Sequence, residues 1–104
     1  MSSRSIGQIS RTCHAIAVSK GFWKDRNPDD VFSTLTEMAL IHSEVSEAVE
    51  AIRKGDMENF AEELADICIR VFDTAVGHGV DLEAAILQKM QKNAQREHMH
   101  GKKA

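Results

Sequence analysis

The sequence predicts an all-α fold, a four-helix bundle-like arrangement, and three observations carry that expectation. Four segments repeat apolar residues at 3–4 spacing, none alternates with period two over a useful length, and breakers are scarce, with one proline and six glycines. A 3–4 spacing lays one apolar stripe along a helix, whereas strands need alternation and turn-rich composition. A chain of 104 residues can close one core but not two, so a single domain over 1–104 is expected. No internal repeat or low-complexity linker divides it.

The first helix is expected over about residues 4–20, where Ile6, Ile9, Cys13 and Ile16 share a face and Gly21 is a natural stop. GFWKDRNPDD follows as the one stretch with clear breakers. Within it Asn27 can cap a new helix, Pro28 suits its first turn, and Asp29 and Asp30 favour the positive end of its dipole. The second helix carries Met38, Ile41, Val45, Ala48 and Ile52, a seam for close packing. The third answers with Phe60, Leu64, Ile67 and Val71 after a tight turn at Lys54-Gly55-Asp56. Gly77-His78-Gly79 ends it, and Asp81 caps a fourth helix holding Leu82, Ile86 and Met90.

A net charge of −3 argues against a partner that is a nucleic-acid polymer, which would call for a basic face. No apolar run approaches a membrane span and no apolar leader opens the chain, so a cytoplasmic setting without membrane contact is expected. Cys13 and Cys68 then read as small core hydrophobes rather than a disulfide.

Glu44, Glu47, Glu63 and Asp66 carry the chemistry. They form two i,i+3 pairs equidistant from Gly55, so folding the two helices antiparallel sets Glu44 level with Asp66 and Glu47 level with Glu63. Each acid is one step off the expected apolar seam, which places all four at the edge of the core. Carboxylates converging there repel one another unless a cation sits among them. Oxygen ligands in this number suit Mg²⁺, with Mn²⁺ as a substitute, and not zinc, which prefers His or Cys. Glu37 and Asp73 extend the mirror one heptad outward, either as support for the site or as surface charge.

On the fourth helix Lys89, Lys92, Asn93 and Arg96 share a face and lead into the basic tail HGKK. They read as phosphate partners or as a solubilising stripe. Phe22 and Trp23 either stack on a base or plug the end of the bundle. His14 is either a base contact or a satisfied, half-buried histidine. His98 and His100 read as tail residues.

The arrangement SEVSE followed by EELAD resembles the metal motif of the MazG-like, all-α nucleoside triphosphate pyrophosphohydrolases, marked by E-E-x-x-E, a variable gap and E-x-x-D. Ser43 stands where that family carries the first acid of its leading pair. GFWKDRNPDDVFSTLTEMALIHSEVSEAVEAIRKG and KMQKNAQREHMHGKK are similar to the flanking segments of the family, so the likeness spans most of the chain. The resemblance implies Glu44, Glu47, Glu63 and Asp66 as metal ligands, and Lys89 and Asn93, with Arg96 as a looser match, near the phosphates. It implies hydrolysis of a nucleoside triphosphate, a deoxynucleotide by preference, to the monophosphate and pyrophosphate. Glu44 or Glu47 would orient or deprotonate the attacking water; Trp23 and His14 are candidate base contacts on their residue types and not through the resemblance. It also implies a homodimer or homotetramer. Three competing readings stay open: phosphoribosyl-ATP or a damaged nucleotide as substrate, a non-catalytic helical interaction module, and a di-iron bundle. The last would need Glu-x-x-His pairs on the facing helices, where this chain has Glu-x-x-Glu and Glu-x-x-Asp instead.

Overall fold

Four capped helices make up the chain in a computed structural model that describes residues 3–96. Ser5 opens α1 (Ile6–Ser19) with a capping box: its hydroxyl accepts the Gln8 N–H, and the Gln8 side chain accepts the Ser5 N–H in return. Such a cap holds a helix end by about 1 kcal/mol. α2 (Val31–Arg53) is capped by Asp30, whose carboxylate accepts the Phe32 N–H. The Asn27 cap and the Pro28 first turn expected from sequence are therefore corrected. Asn27 instead accepts the Asp29 N–H on its own side chain, forming a turn that precedes the helix.

Gly55 makes the tight turn with φ 70°, a conformation that a Cβ would strain, and Asp56 caps α3 (Met57–Gly77) at Asn59. Asp81 caps α4 (Leu82–Ala94) at Ala84, as the sequence predicts. α2 and α3 form an antiparallel hairpin, and α1 lies along α3. α4 packs on α1 and α3, and the Gly7 N–H at the start of α1 reaches the carboxylate of Glu83 in the first turn of α4. Among the described residues there is no strand, and no helix is long and apolar enough to cross a membrane.

The interior is made of small and polar side chains. Ala17, Ala48, Ala51 and Ala75 are its buried apolar members, and Ser10, Glu37, Glu63 and Asp73 are buried with them. Meanwhile Val31, Leu35, Met38, Val45, Val49 and Ile52 lie between 43% and 67% exposed along α2. The expected α2 seam is thus half wrong: Ile41 and Ala48 turn inward, while Met38, Val45 and Ile52, seven residues apart, form a stripe on the outer face. The inward stripe runs instead through Glu37, Glu44, Ala48 and Ala51. Cys13 is half-buried, but Cys68 is exposed and does not serve the core; neither is in a disulfide.

Candidate metal and phosphate site

The hairpin turn at Gly55 sets the register that brings the acids together. Glu44 on α2 and Glu63 and Asp66 on α3 each place a carboxylate oxygen within 4.8 Å of the other two. Glu63 is buried, Glu44 is half-buried and Asp66 is exposed, so the group forms a floor, a wall and a rim. Glu47 stands on the other side of Glu63, exposed, over a cleft of about 290 Å³ that it lines with Glu50, Lys54, Asn59 and Glu63. Three of the four expected acids share one point, and the fourth flanks it. Because the inner stripe passes through Glu44 and Glu63 is buried, these two project between the helices, while Asp66 and Glu47 lie exposed beside them.

Glu63 bears the strain of this crowding. Burial, then the adjacent carboxylates of Glu47 and Glu44, push its own carboxyl up to about 7, and its Oε2 has no hydrogen-bond partner. A buried, orphaned carboxylate oxygen facing further anions is costly to maintain unless a ligand completes it. Oxygen donors only, with one of them unsatisfied, fit a hard divalent cation. Glu44, Glu63 and Asp66 are the residues that could hold it.

Arg70 is the member of this site that the motif did not reveal. Its Nε–H donates to Glu44 Oε1 at 2.9 Å, and the side chain is 38% exposed. The signal was present in the spacing, since Arg70 is four residues beyond Asp66 and shares its face of α3. Glu44, Asp66 and Arg70 open together onto a cavity of about 320 Å³, walled by Ile16 and Ala17 of α1 and by Phe22.

The next layer outward is closed. Asp73 Oδ1 takes His14 Nδ1 and the Trp23 indole N–H, each at 2.8 Å, while Arg26 lies 3.9 Å from Oδ2 and over the Trp23 ring. Glu37 Oε2 meets His78 Nε2 at 2.6 Å. The Trp23 ring sits edge-on to both histidines and lies flush on Gly77, where a Cβ would overlap its six-membered ring. Glu37 and Asp73 are buried, so the surface-charge reading of these two falls. His14 and Trp23 are engaged with Asp73 and do not line the cavity beside the acids.

Lys89, Lys92, Asn93 and Arg96 are all exposed, the first three on α4 and Arg96 just past its end. α4 packs on α1 and α3, and none of the four lines either cavity on which Glu44, Glu47, Glu63 and Asp66 open. The reason is topological: helix periodicity fixes which residues share a face, not where a short terminal helix points. His98, His100 and the HGKK tail lie outside the described residues.

Residues 32–100 match the MazG nucleotide pyrophosphohydrolase domain family, and the chain belongs to that family. The match begins within α2, so α1 and the loop bearing Phe22, Trp23 and Arg26 lie outside it. No curated protein and no solved structure matches the chain.

Proposed function

We propose that this chain is a Mg²⁺-dependent nucleoside triphosphate pyrophosphohydrolase acting on a deoxynucleotide, and that it clears unwanted nucleotides from the cytoplasmic pool. The carrying observation is the convergence of Glu44, Glu63 and Asp66 within 4.8 Å, with the Glu63 Oε2 left unpartnered. A bound Mg²⁺ or Mn²⁺ would offset phosphate charge and acidify a water. Glu44, Glu63 and Asp66 would hold that ion. Glu47, exposed and outside the group of three, is free to accept the proton of the attacking water as oxygen is delivered to the α-phosphorus. The water's oxygen joins the nucleoside monophosphate, and pyrophosphate leaves.

The nucleoside fits the cavity of about 320 Å³, where Phe22, 61% exposed, supplies an aromatic face beside Ile16 and Ala17. A base contact by Trp23 or His14 would require their bonds to Asp73 to open, so Phe22 stands closer to that role. Lys89, Asn93 and Arg96 reach phosphate in this reading from a neighbouring copy. Homo-oligomerisation is supported by the large apolar side chains that the described helices leave exposed, among them Ile16, Val31, Leu35, Ile52 and Leu87. The outer stripe of α2, from Val31 to Ile52, offers a coiled-coil-like seam for a second copy.

The test is pyrophosphate release across the canonical deoxy- and ribonucleoside triphosphates and phosphoribosyl-ATP, with and without Mg²⁺, and with Glu63→Gln as control. Mg²⁺-dependent release that the control loses is expected. Metal-independent release, or an unaffected control, would overturn the assignment. Absence of turnover on every nucleotide would favour a non-catalytic helical module.

A further inference from the structure

We infer that Arg70 is a phosphate-binding residue of this site, with Glu44 as the anchor that aims it. The inference rests on the reading that the acid cluster handles a phosphate chain, but it assigns that chain a cation within the same polypeptide. Arg70 is tied to Glu44 through Nε alone, at 2.9 Å. Among the described residues neither of its terminal nitrogens has a hydrogen-bond or ion-pair partner, and the guanidinium lines the cavity next to Asp66. A guanidinium held by one edge presents its remaining N–H groups as a planar fork, the geometry that grips a phosphate.

The other cation on this cavity does not compete for the task. Arg26 also lines it, but it is 19% exposed, lies 3.9 Å from Asp73 Oδ2 and stacks on Trp23 at 5.0 Å. Its charge is spent within the closed layer. Arg70 pairs with a carboxylate that also belongs to the group of three, so it balances part of the cluster's charge before any ligand arrives. A cation entering among Glu44, Glu63 and Asp66 would share Glu44 with Arg70, whose Nε–H occupies Oε1 only, so the fork stays aimed beside the ion for an anion that enters with it. Glu44 then sets the ion and the fork side by side, and the exposed α4 stripe is not required for that first contact.

The experiment uses the full-length chain with two base-free probes: Mn²⁺ alone, and inorganic triphosphate at saturating Mn²⁺, both followed by calorimetry. Arg70→Met removes the fork and keeps the stem. It is expected to bind Mn²⁺ at least as tightly as the unaltered chain, one nearby positive charge having gone, and to bind triphosphate at least tenfold more weakly. Arg70→Lys keeps the charge without the fork and should bind triphosphate about threefold more weakly at unchanged Mn²⁺ affinity. Should Arg70→Met fail to give a helical circular-dichroism spectrum, Arg70→Lys decides alone. Triphosphate binding within twofold of the unaltered chain overturns the inference, as does a parallel loss of Mn²⁺ binding, which would make Arg70 a support for the ligands only. If the unaltered chain hydrolyses no nucleotide yet loses triphosphate in Arg70→Met, the reaction assignment fails and the role of Arg70 stands.

Discussion

Two layers of carboxylate cross the α2/α3 pair one heptad apart, and they have opposite company. The outer layer, Glu37 and Asp73, is met by two histidines, an indole N–H and an arginine. Its neighbour, Glu44, Glu63 and Asp66 with Glu47 alongside, is met mainly by its own kind, relieved by Arg70 at one oxygen. Glu37 and Glu63 each keep one unpartnered oxygen, but only that of Glu63 belongs to a carboxyl crowded by other carboxylates. Buried acids supplied with donors hold a fold together, and buried acids supplied with acids wait for a cation.

Glu63→Gln cuts most deeply into this contrast. It should lower nucleotide turnover by at least about a hundredfold, by analogy with the loss when a metal centre's supporting groups are removed. The melting temperature of the metal-free protein above pH 7 should stay level or rise, since there a crowded anion has been neutralised. A clear drop in melting temperature would place Glu63 with the structural layer.

Asp73→Ala should do the reverse. Removing the acceptor shared by His14, Trp23 and Arg26 strands buried donors, and a loss of about 3 kcal/mol in urea-unfolding free energy is expected. Unchanged stability would dissolve the distinction between the layers. Gly77→Ala is a milder probe of the same layer, because the new methyl must displace the Trp23 ring; a loss of about 2 kcal/mol is expected by the same measurement.

The smallest effect is on protons. The folded-state carboxyl of Glu63 lies near 7, above its ordinary 4.5, so the metal-free fold holds a proton that the unfolded chain has released between those values. From this group alone, metal-free stability declines as pH rises from 4.5 to 7. Mg²⁺ must displace that proton, so calorimetry in buffers of differing ionisation enthalpy should show about one proton released per chain at pH 6 and none at pH 9. Apparent Mg²⁺ affinity should fall as pH drops through about 7. Proton release that is the same at both values would separate Glu63 from the ion.

What could be read from sequence was local, and what could not was set by distant contacts. Gly55 with Asp56 behind it fixes the turn, and the i,i+3 spacing of the acids fixes their faces; both act within a few residues, so the convergence of Glu44, Glu63 and Asp66 was visible. Pairing of His14 with Asp73 spans 59 positions and that of His78 with Glu37 spans 41, and no periodicity records either. The stripe from Met38 to Ile52 is plain in sequence, but an apolar stripe does not say whether its partner is in the same chain. That is why the stripe was placed inward and the acids one step aside. For α4 the cap at Asp81 was legible and the direction was not.

The turn at Gly55 also dictates which changes in length the chain can absorb. Both halves of the acid cluster are counted from that turn, so inserting one residue between Glu47 and Gly55 would turn Glu44 and Glu47 by about 100° and shift them about 1.5 Å along the axis. The two sides would then miss each other. Loop residues 20–30 carry no such count toward the acids. A change of length confined to one arm of the hairpin therefore parts the acids, whereas both arms can lengthen together through the turn and keep them level.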